Sequence, residues 1–173
     1  MSNSSLDSPT KKQKQNKWLL AIKRAERLLP WGWHLEFAPG AVDLARGKAY
    51  TGTITINSNH APEHRYYMLL HEIGHAVLYA RYDYDKKFQI VSRRKYATLT
   101  YKIARVEEEM AAWNAGEEFA RENKLPLNER SFRTLRSSAL SSYMIWANTR
   151  RHPHPDYSRK ARMALYAQDI FAP

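Results

Sequence analysis

An α+β fold, with a small and mainly antiparallel sheet packed on one long helix and further helices around it, follows from three features of the chain. Apolar residues recur at helical spacing over 62–81. Thr51, Thr53 and Thr55 alternate with Gly52, Ile54 and Ile56 just before that segment, which is the period of a half-buried strand. Two more helical patterns follow it. A length of 173 residues with 43% hydrophobic content suits one domain with a single core.

Residues 1–15 are rich in Ser, Lys and Gln, and are expected to form a disordered basic tail ahead of a single domain over 16–173. An amphipathic helix is expected from about Asn16 to Leu29, with Trp18, Ile22, Ala25 and Leu29 on one face. Trp33 to Phe37 is a short strand candidate and Ala49 to Asn57 a longer one, whose exposed edge could pair with an extended peptide. Pro62 suits the first position of the next helix and Glu63 complements its dipole. Tyr66, Leu69, Leu70, Ile73, Val77 and Ala80 form its apolar stripe. Gly74 inside that helix costs about 1 kcal/mol relative to Ala, which points to a close neighbour such as a strand backbone. Tyr82 to Ala97, with the basic run Arg93-Arg94-Lys95, reads as a loop or small excursion. Helices are then expected from about Leu99 to Asn123 and from Glu129 to Asn148, the second carrying Phe132, Leu135, Leu140, Tyr143, Met144 and Trp146. The turn Arg150-Arg151-His152-Pro153-His154-Pro155 precedes a last helix capped by Asp156.

The long helix holds Leu70-His71-Glu72-Ile73-Gly74-His75-Ala76, an H-E-x-x-H pattern. Side chains four apart lie on one helix face, so both imidazoles can reach a single ion while Glu72 projects beside it. Two core or solvated histidines are the plainer reading, but that reading leaves Glu72, Gly74 and the preceding strand as coincidences. A catalytic zinc takes three protein ligands and keeps one position open, so a third ligand must lie outside the motif. With no Cys in the chain, it must bind through nitrogen or oxygen. Downstream stands Val106-Glu107-Glu108-Glu109-Met110-Ala111-Ala112-Trp113, within the helix from Leu99.

H-E-x-x-H followed by a helix bearing Glu resembles the gluzincins and, among them, the ImmA/IrrE-type metallopeptidases. The resemblance rests on the strand Gly52-Thr53-Ile54-Thr55-Ile56, the string from Met68 to Leu78, and Glu109-x-x-Ala112-Trp113-x-x-Gly116. It covers roughly Trp33 to Arg121. It implies a zincin-like zinc metalloendopeptidase with Zn2+ held by His71, His75 and Glu109, and with Glu72 as catalytic base. Aligning on Ala111 instead would select Glu108. Only one of three consecutive glutamates can point squarely at an ion, and the other two are expected in solvent. The family usually has Asn or Asp after Glu-x-x-Ala, supporting the metal site; here Trp113 holds that place. The substrate implied is a DNA-binding repressor, cut in regulatory proteolysis. Glu72 would take a proton from water and pass it to the leaving amine. His60, His64, Tyr66, Tyr143 and Arg151 are open candidates for the oxyanion donor.

The formal charge of +11 sits at the ends of the chain. Residues 1–30 carry seven basic and two acidic side chains, 31–129 thirteen of each, and 130–173 eight and two. Such ends could hold nucleic acid phosphates or an acidic partner, although solvated faces on a basic protein are the plainer account. Two alternatives use these ends. A SprT-like, DNA-associated zinc protease would take a third His, for which only His152 and His154 lie downstream. A non-catalytic nucleic-acid-binding module with a structural metal would need four ligands. No apolar run is long enough to span a bilayer and Met1 to Ser5 lacks the order of a signal peptide, so a cytoplasmic protein without membrane contact is expected.

Overall fold

A computed structural model describes residues 10–48, 50–81, 84–88 and 98–148. The expectations for residues 1–9, for Arg93-Arg94-Lys95, for Arg151, His152 and His154, and for a helix capped by Asp156 fall outside the described residues. The order is α1 (Lys11–Glu26), β1 (Trp33–Ala38), β2 (Leu44–Lys48), β3 (Thr51–Asn57), α2 (Pro62–Ala80), α3 (Tyr84–Lys87), α4 (Leu99–Glu122) and α5 (Glu129–Asn148). This is an α+β fold.

α1 begins at Lys11, ahead of the expected Asn16, so residues 11–15 of the proposed tail are helical. The cause is a capping box: the Gln13 amide donates to Thr10 Oγ1 at 3.3 Å and the Thr10 amide donates to Gln13 Oε1 at 2.7 Å. Trp18, Ala21, Ile22 and Ala25 form its buried face, and the Trp18 ring centre lies 5.3 Å from those of Tyr66 and Tyr67 on α2.

The three strands are ordered β1-β3-β2. β3 runs parallel to β1, with Trp33 opposite Gly52, and antiparallel to β2, with Ala45 opposite Ile54. The sheet is therefore mixed, where a mainly antiparallel one was expected. β2 is the reason: as the hairpin partner of β3 it reverses the chain between β1 and β3 and leaves those two parallel. β3 is also central, with both edges paired, so it cannot offer an edge to a peptide as expected. Its apolar residues Ile54 and Ile56 are fully buried.

α2 is buried continuously from Tyr66 to Ala76, well beyond the stripe seen in the sequence. It contacts α1, β2, β3 and, most extensively, α4. A helix enclosed on all sides is a core helix, and polar groups upon it need partners. Gly74 does have a close neighbour, but it is α4 and not a strand. A Cβ built on Gly74 would lie 1.9 Å from the Ala112 carbonyl oxygen, and one on Gly116 would lie 2.2 Å from that of Leu70. The two glycines thus let the backbones of α2 and α4 touch, one turn away from Glu109.

α4 is capped by Thr98, whose Oγ1 accepts from the Tyr101 amide at 3.2 Å, and α5 by Asn128, whose Oδ1 accepts from the Ser131 amide at 3.2 Å. Phe132, Leu135, Tyr143 and Trp146 of α5 are buried, while Met144 of the same helix is 60% exposed.

Candidate active site

α2 places His71 and His75 one turn apart, with ring centres 4.8 Å from each other, and the helix crossing at Gly74 brings Glu109 up to both. His71 Nε2 lies 3.2 Å from Glu109 Oε2, and His75 Nε2 lies 3.6 Å from Glu109 Oε1. Glu72 stands farther off, its Oε1 3.9 Å from His71 Nε2. Its other oxygen accepts from the Ala45 amide of β2 at 2.8 Å. All four side chains are buried. The donor atoms of His71, Glu72 and His75 lie within 4.8 Å of one another.

This donor set fits zinc. Ligand atoms 2.0–2.2 Å from a tetrahedral zinc stand about 3.4 Å from one another, and the 3.2 Å between His71 Nε2 and Glu109 Oε2 is close to that value. Two nitrogens and a carboxylate form the donor set of a catalytic site with an open position. Glu72, nearby but bonded to the sheet, is not needed as a ligand.

Burial disfavours a carboxylate at Glu109, but the Arg105 guanidinium and the two imidazoles outweigh it and hold its pKa well below the usual carboxylate range. Burial also disfavours charge on His75, yet the carboxylates of Glu109, Glu72 and Glu108 push it up to about 9. Glu72 is raised, chiefly by burial; the two imidazoles pull it back, and Glu109 and Asp43 reinforce the rise.

Of the three glutamates, only Glu107 is exposed. Glu108 was expected in solvent beside it, but is fully buried. Its Oε1 accepts from the Tyr84 hydroxyl and its Oε2 pairs with Arg105 Nη1. Arg105 Nη2 reaches Glu109 Oε1 at 3.0 Å, so one guanidinium spans both acids. Trp113 stacks on His71, with ring centres 4.4 Å apart and planes at 21°. Metal-ligating histidines normally donate their second nitrogen to an acceptor, but Nδ1 of His71 and of His75 finds no such partner among the described residues. Stacking by Trp113 is what steadies the His71 ring instead.

A cavity of about 420 Å³ opens onto the site. Its wall includes β2 residues Leu44 and Ala45, and Ser142 and Tyr143 of α5. His60 and His64 also line it, stacked 4.2 Å apart, with His60 Nε2 3.1 Å from the buried Asp43 carboxylate. Tyr66, another oxyanion candidate, is buried against Trp18 and Tyr67 instead. Three participants escaped sequence reasoning. Asp43 and the Ala45 amide lie in a stretch with no strand period, and Arg105 reads as an ordinary surface partner of an acidic run.

Residues 33–120, just over half of the chain, match the family model of the IrrE N-terminal-like domain, peptidase family M78. The chain belongs to the IrrE N-terminal-like family. Within this IrrE-like chain the match runs from β1 into α4, taking in the sheet, all of α2 and Glu109, and leaving α1 and α5 outside. Membership gives a metallopeptidase-like function, and the buried His71, Glu72 and His75 could bind a metal. No curated protein and no solved structure matches the chain. No helix among the described residues is long and apolar enough to cross a membrane.

Proposed function

We propose that this chain is a zinc-dependent endopeptidase that cuts a protein substrate within the cytoplasm. The observation carrying the reading is the convergence of His71, His75 and Glu109 with Glu72 standing beside them on the wall of one cavity. His71, His75 and Glu109 would hold the metal. When bound, zinc supplies Lewis-acid polarisation of the scissile carbonyl and lowers the pKa of water.

Glu72 acts as the base. Its burial raises its proton affinity toward what a general base needs at neutral pH, and the Ala45 amide fixes one oxygen so that the other faces the histidines. It takes a proton from the attacking water and gives it to the departing amine nitrogen. The peptide itself would lie along β2, an edge strand of the sheet whose residues Leu44 and Ala45 line the cavity. An extended chain bonded there is aligned by backbone groups and tolerates varied side chains. His60, His64 and Tyr143 are the described candidates able to meet the carbonyl oxygen from the cavity wall.

The resemblance to ImmA/IrrE-type peptidases supplies the substrate class, a DNA-binding repressor inactivated by a single cut. A third histidine, as in the SprT-like alternative, is not required where Glu109 stands against both rings.

Two measurements test the reading. Purified protein reconstituted with zinc should hold one ion per chain, and His71→Ala or His75→Ala should remove it. Glu72→Gln should retain zinc and fold while losing about a hundredfold to ten-thousandfold in peptide hydrolysis. Wild-type protein that stays metal-free, or a Glu72→Gln variant that still cleaves at full rate, overturns it.

A further inference from the structure

The sheet has two edges, and they face different surroundings. β2 borders the cavity, whereas no described residue of β1 lines it. The peptide chemistry above therefore leaves the β1 edge unused.

The parallel ladder fixes which backbone groups of β1 face outward. The Gly52 amide donates to the Gly32 carbonyl at 3.2 Å, and the Ser58 amide donates to that of Ala38 at 3.1 Å. In a parallel pair every second residue turns both its peptide groups to the neighbour, so His34 and Glu36 bond β3 while Leu35 and Phe37 turn theirs to the free edge. The Trp33 carbonyl points the same way, its amide being held by the Pro30 carbonyl at 3.1 Å. Among the described residues, the N–H and C=O of Leu35 and of Phe37 have no partner.

Natural sheets blunt such an edge with Lys, Pro or a bulge. Trp33–Ala38 has none of these and pairs with β3 without interruption. His34 and Glu36 are exposed, and the Phe37 ring is 41% exposed at the rim. The strand is also complementary to itself. If two copies pair antiparallel about a two-fold axis at Leu35, each Leu35 exchanges two N–H···O bonds with its counterpart, and each Phe37 amide meets the Trp33 carbonyl of the partner. The same register sets His34 of each protomer opposite Glu36 of its partner, twice over, and brings each Phe37 beside the partner's Trp33.

We infer that β1 is the surface through which two copies of this chain associate, as an antiparallel pair centred on Leu35. The two sheets then become one, with the β2 edges and both cavities at its outer sides. A contact of two short strands is small, so the dimer should be weak, with a Kd on the order of 10–100 µM.

The test is sedimentation velocity on the full chain from about 5 µM to about 500 µM, where a monomer–dimer equilibrium is expected. His34→Glu should weaken the dimer about tenfold, because carboxylates then face each other at two places, even though the change lowers the net charge of a basic protein. Adding Glu36→Lys to His34→Glu restores opposite charges across the axis and should bring the Kd back to within about threefold of wild type. Cross-linking fixes the register, since the chain has no Cys of its own. With oxidised glutathione, Leu35→Cys should form a disulfide-linked dimer, because the paired residues lie about 5.5 Å apart between Cα atoms. Phe37→Cys should not, although it is the more exposed position, because its two copies stand about 13 Å apart along the strands. A chain that stays monomeric over the whole range overturns the inference. So does association that the charge changes leave untouched, or that continues beyond two copies, or cross-linking as strong at 37 as at 35. If Leu35→Cys does not fold, the charge reversal and its rescue decide alone.

Discussion

α2 and α4 touch backbone to backbone at Gly74 and Gly116, yet they carry their chemistry differently. α2 is enclosed from Tyr66 to Ala76, so every residue of its motif meets protein and its roles follow from helical spacing alone. α4 keeps an open side, with Ile103, Glu107, Met110 and Asn114 exposed, and its acidic run straddles the boundary. Which glutamate serves the site is decided there by the helix it packs against. A motif inside an enclosed helix is complete in itself; a ligand from a half-exposed helix is defined by contact.

The comparison breaks most sharply at Glu109. Glu109→Ala should cost more zinc affinity than the about 10–100-fold lost with outer-shell partners and should abolish cleavage, while Glu107→Ala changes neither. Parallel chelator competitions show this. Equal effects at 107 and 109 would mean that contact with α2 does not select the ligand.

Next in size is the crossing itself. Gly74→Ala drives a methyl group into the Ala112 carbonyl, which has no room to yield within a helix. It should destabilise the fold by about 1–3 kcal/mol and lower zinc affinity with it, because Glu109 moves away from the histidines. Thermal midpoints of the metal-free and zinc-loaded forms separate these effects. A variant with a wild-type midpoint would show that the helices need not be so close.

Proton competition is the mildest test. The His75 pKa, raised to about 9 in the metal-free chain, means that a proton occupies the ring at neutral pH and metal must displace it. Zinc affinity should therefore rise about tenfold per pH unit up to about pH 9 and fall as acid is added. Proton release on zinc addition at pH 7, followed in weak buffer, checks the sign. An absence of release would show that the ring is already neutral.

Much of α2 was legible because its large apolar residues recur on a 3.6-residue period and Pro62 marks its start, although its burial runs past that stripe. The limits of α5 were legible for similar reasons. β2 was not: over residues 44–47 only Ala45 is buried, Arg46 and Gly47 are exposed, and no alternation is visible. Without β2, the order of the sheet could not be read, and a Thr/Ile alternation that suits an edge strand belongs to the centre. Asn16 was a misleading helix start because the Thr10 and Gln13 cap lies within a polar stretch that composition alone marks as disordered. The burial of Glu108 was hidden for a different reason. Its anchor Tyr84 is remote in sequence, and its neighbour Arg105 has the spacing of any solvent-exposed helix pair.

The crossing of α2 and α4 has a topological consequence. A metal held by His75 and Glu109, as proposed, would tie together two points separated by about 35 residues of chain, in a protein that has no Cys to do so. In the entropy model used for covalent cross-links, closing a loop of that size removes about 4 kcal/mol of freedom from the unfolded chain. The ion would then be a staple as well as a reagent, and stripping it would loosen the hold of α2 on α4 before any catalytic step is considered.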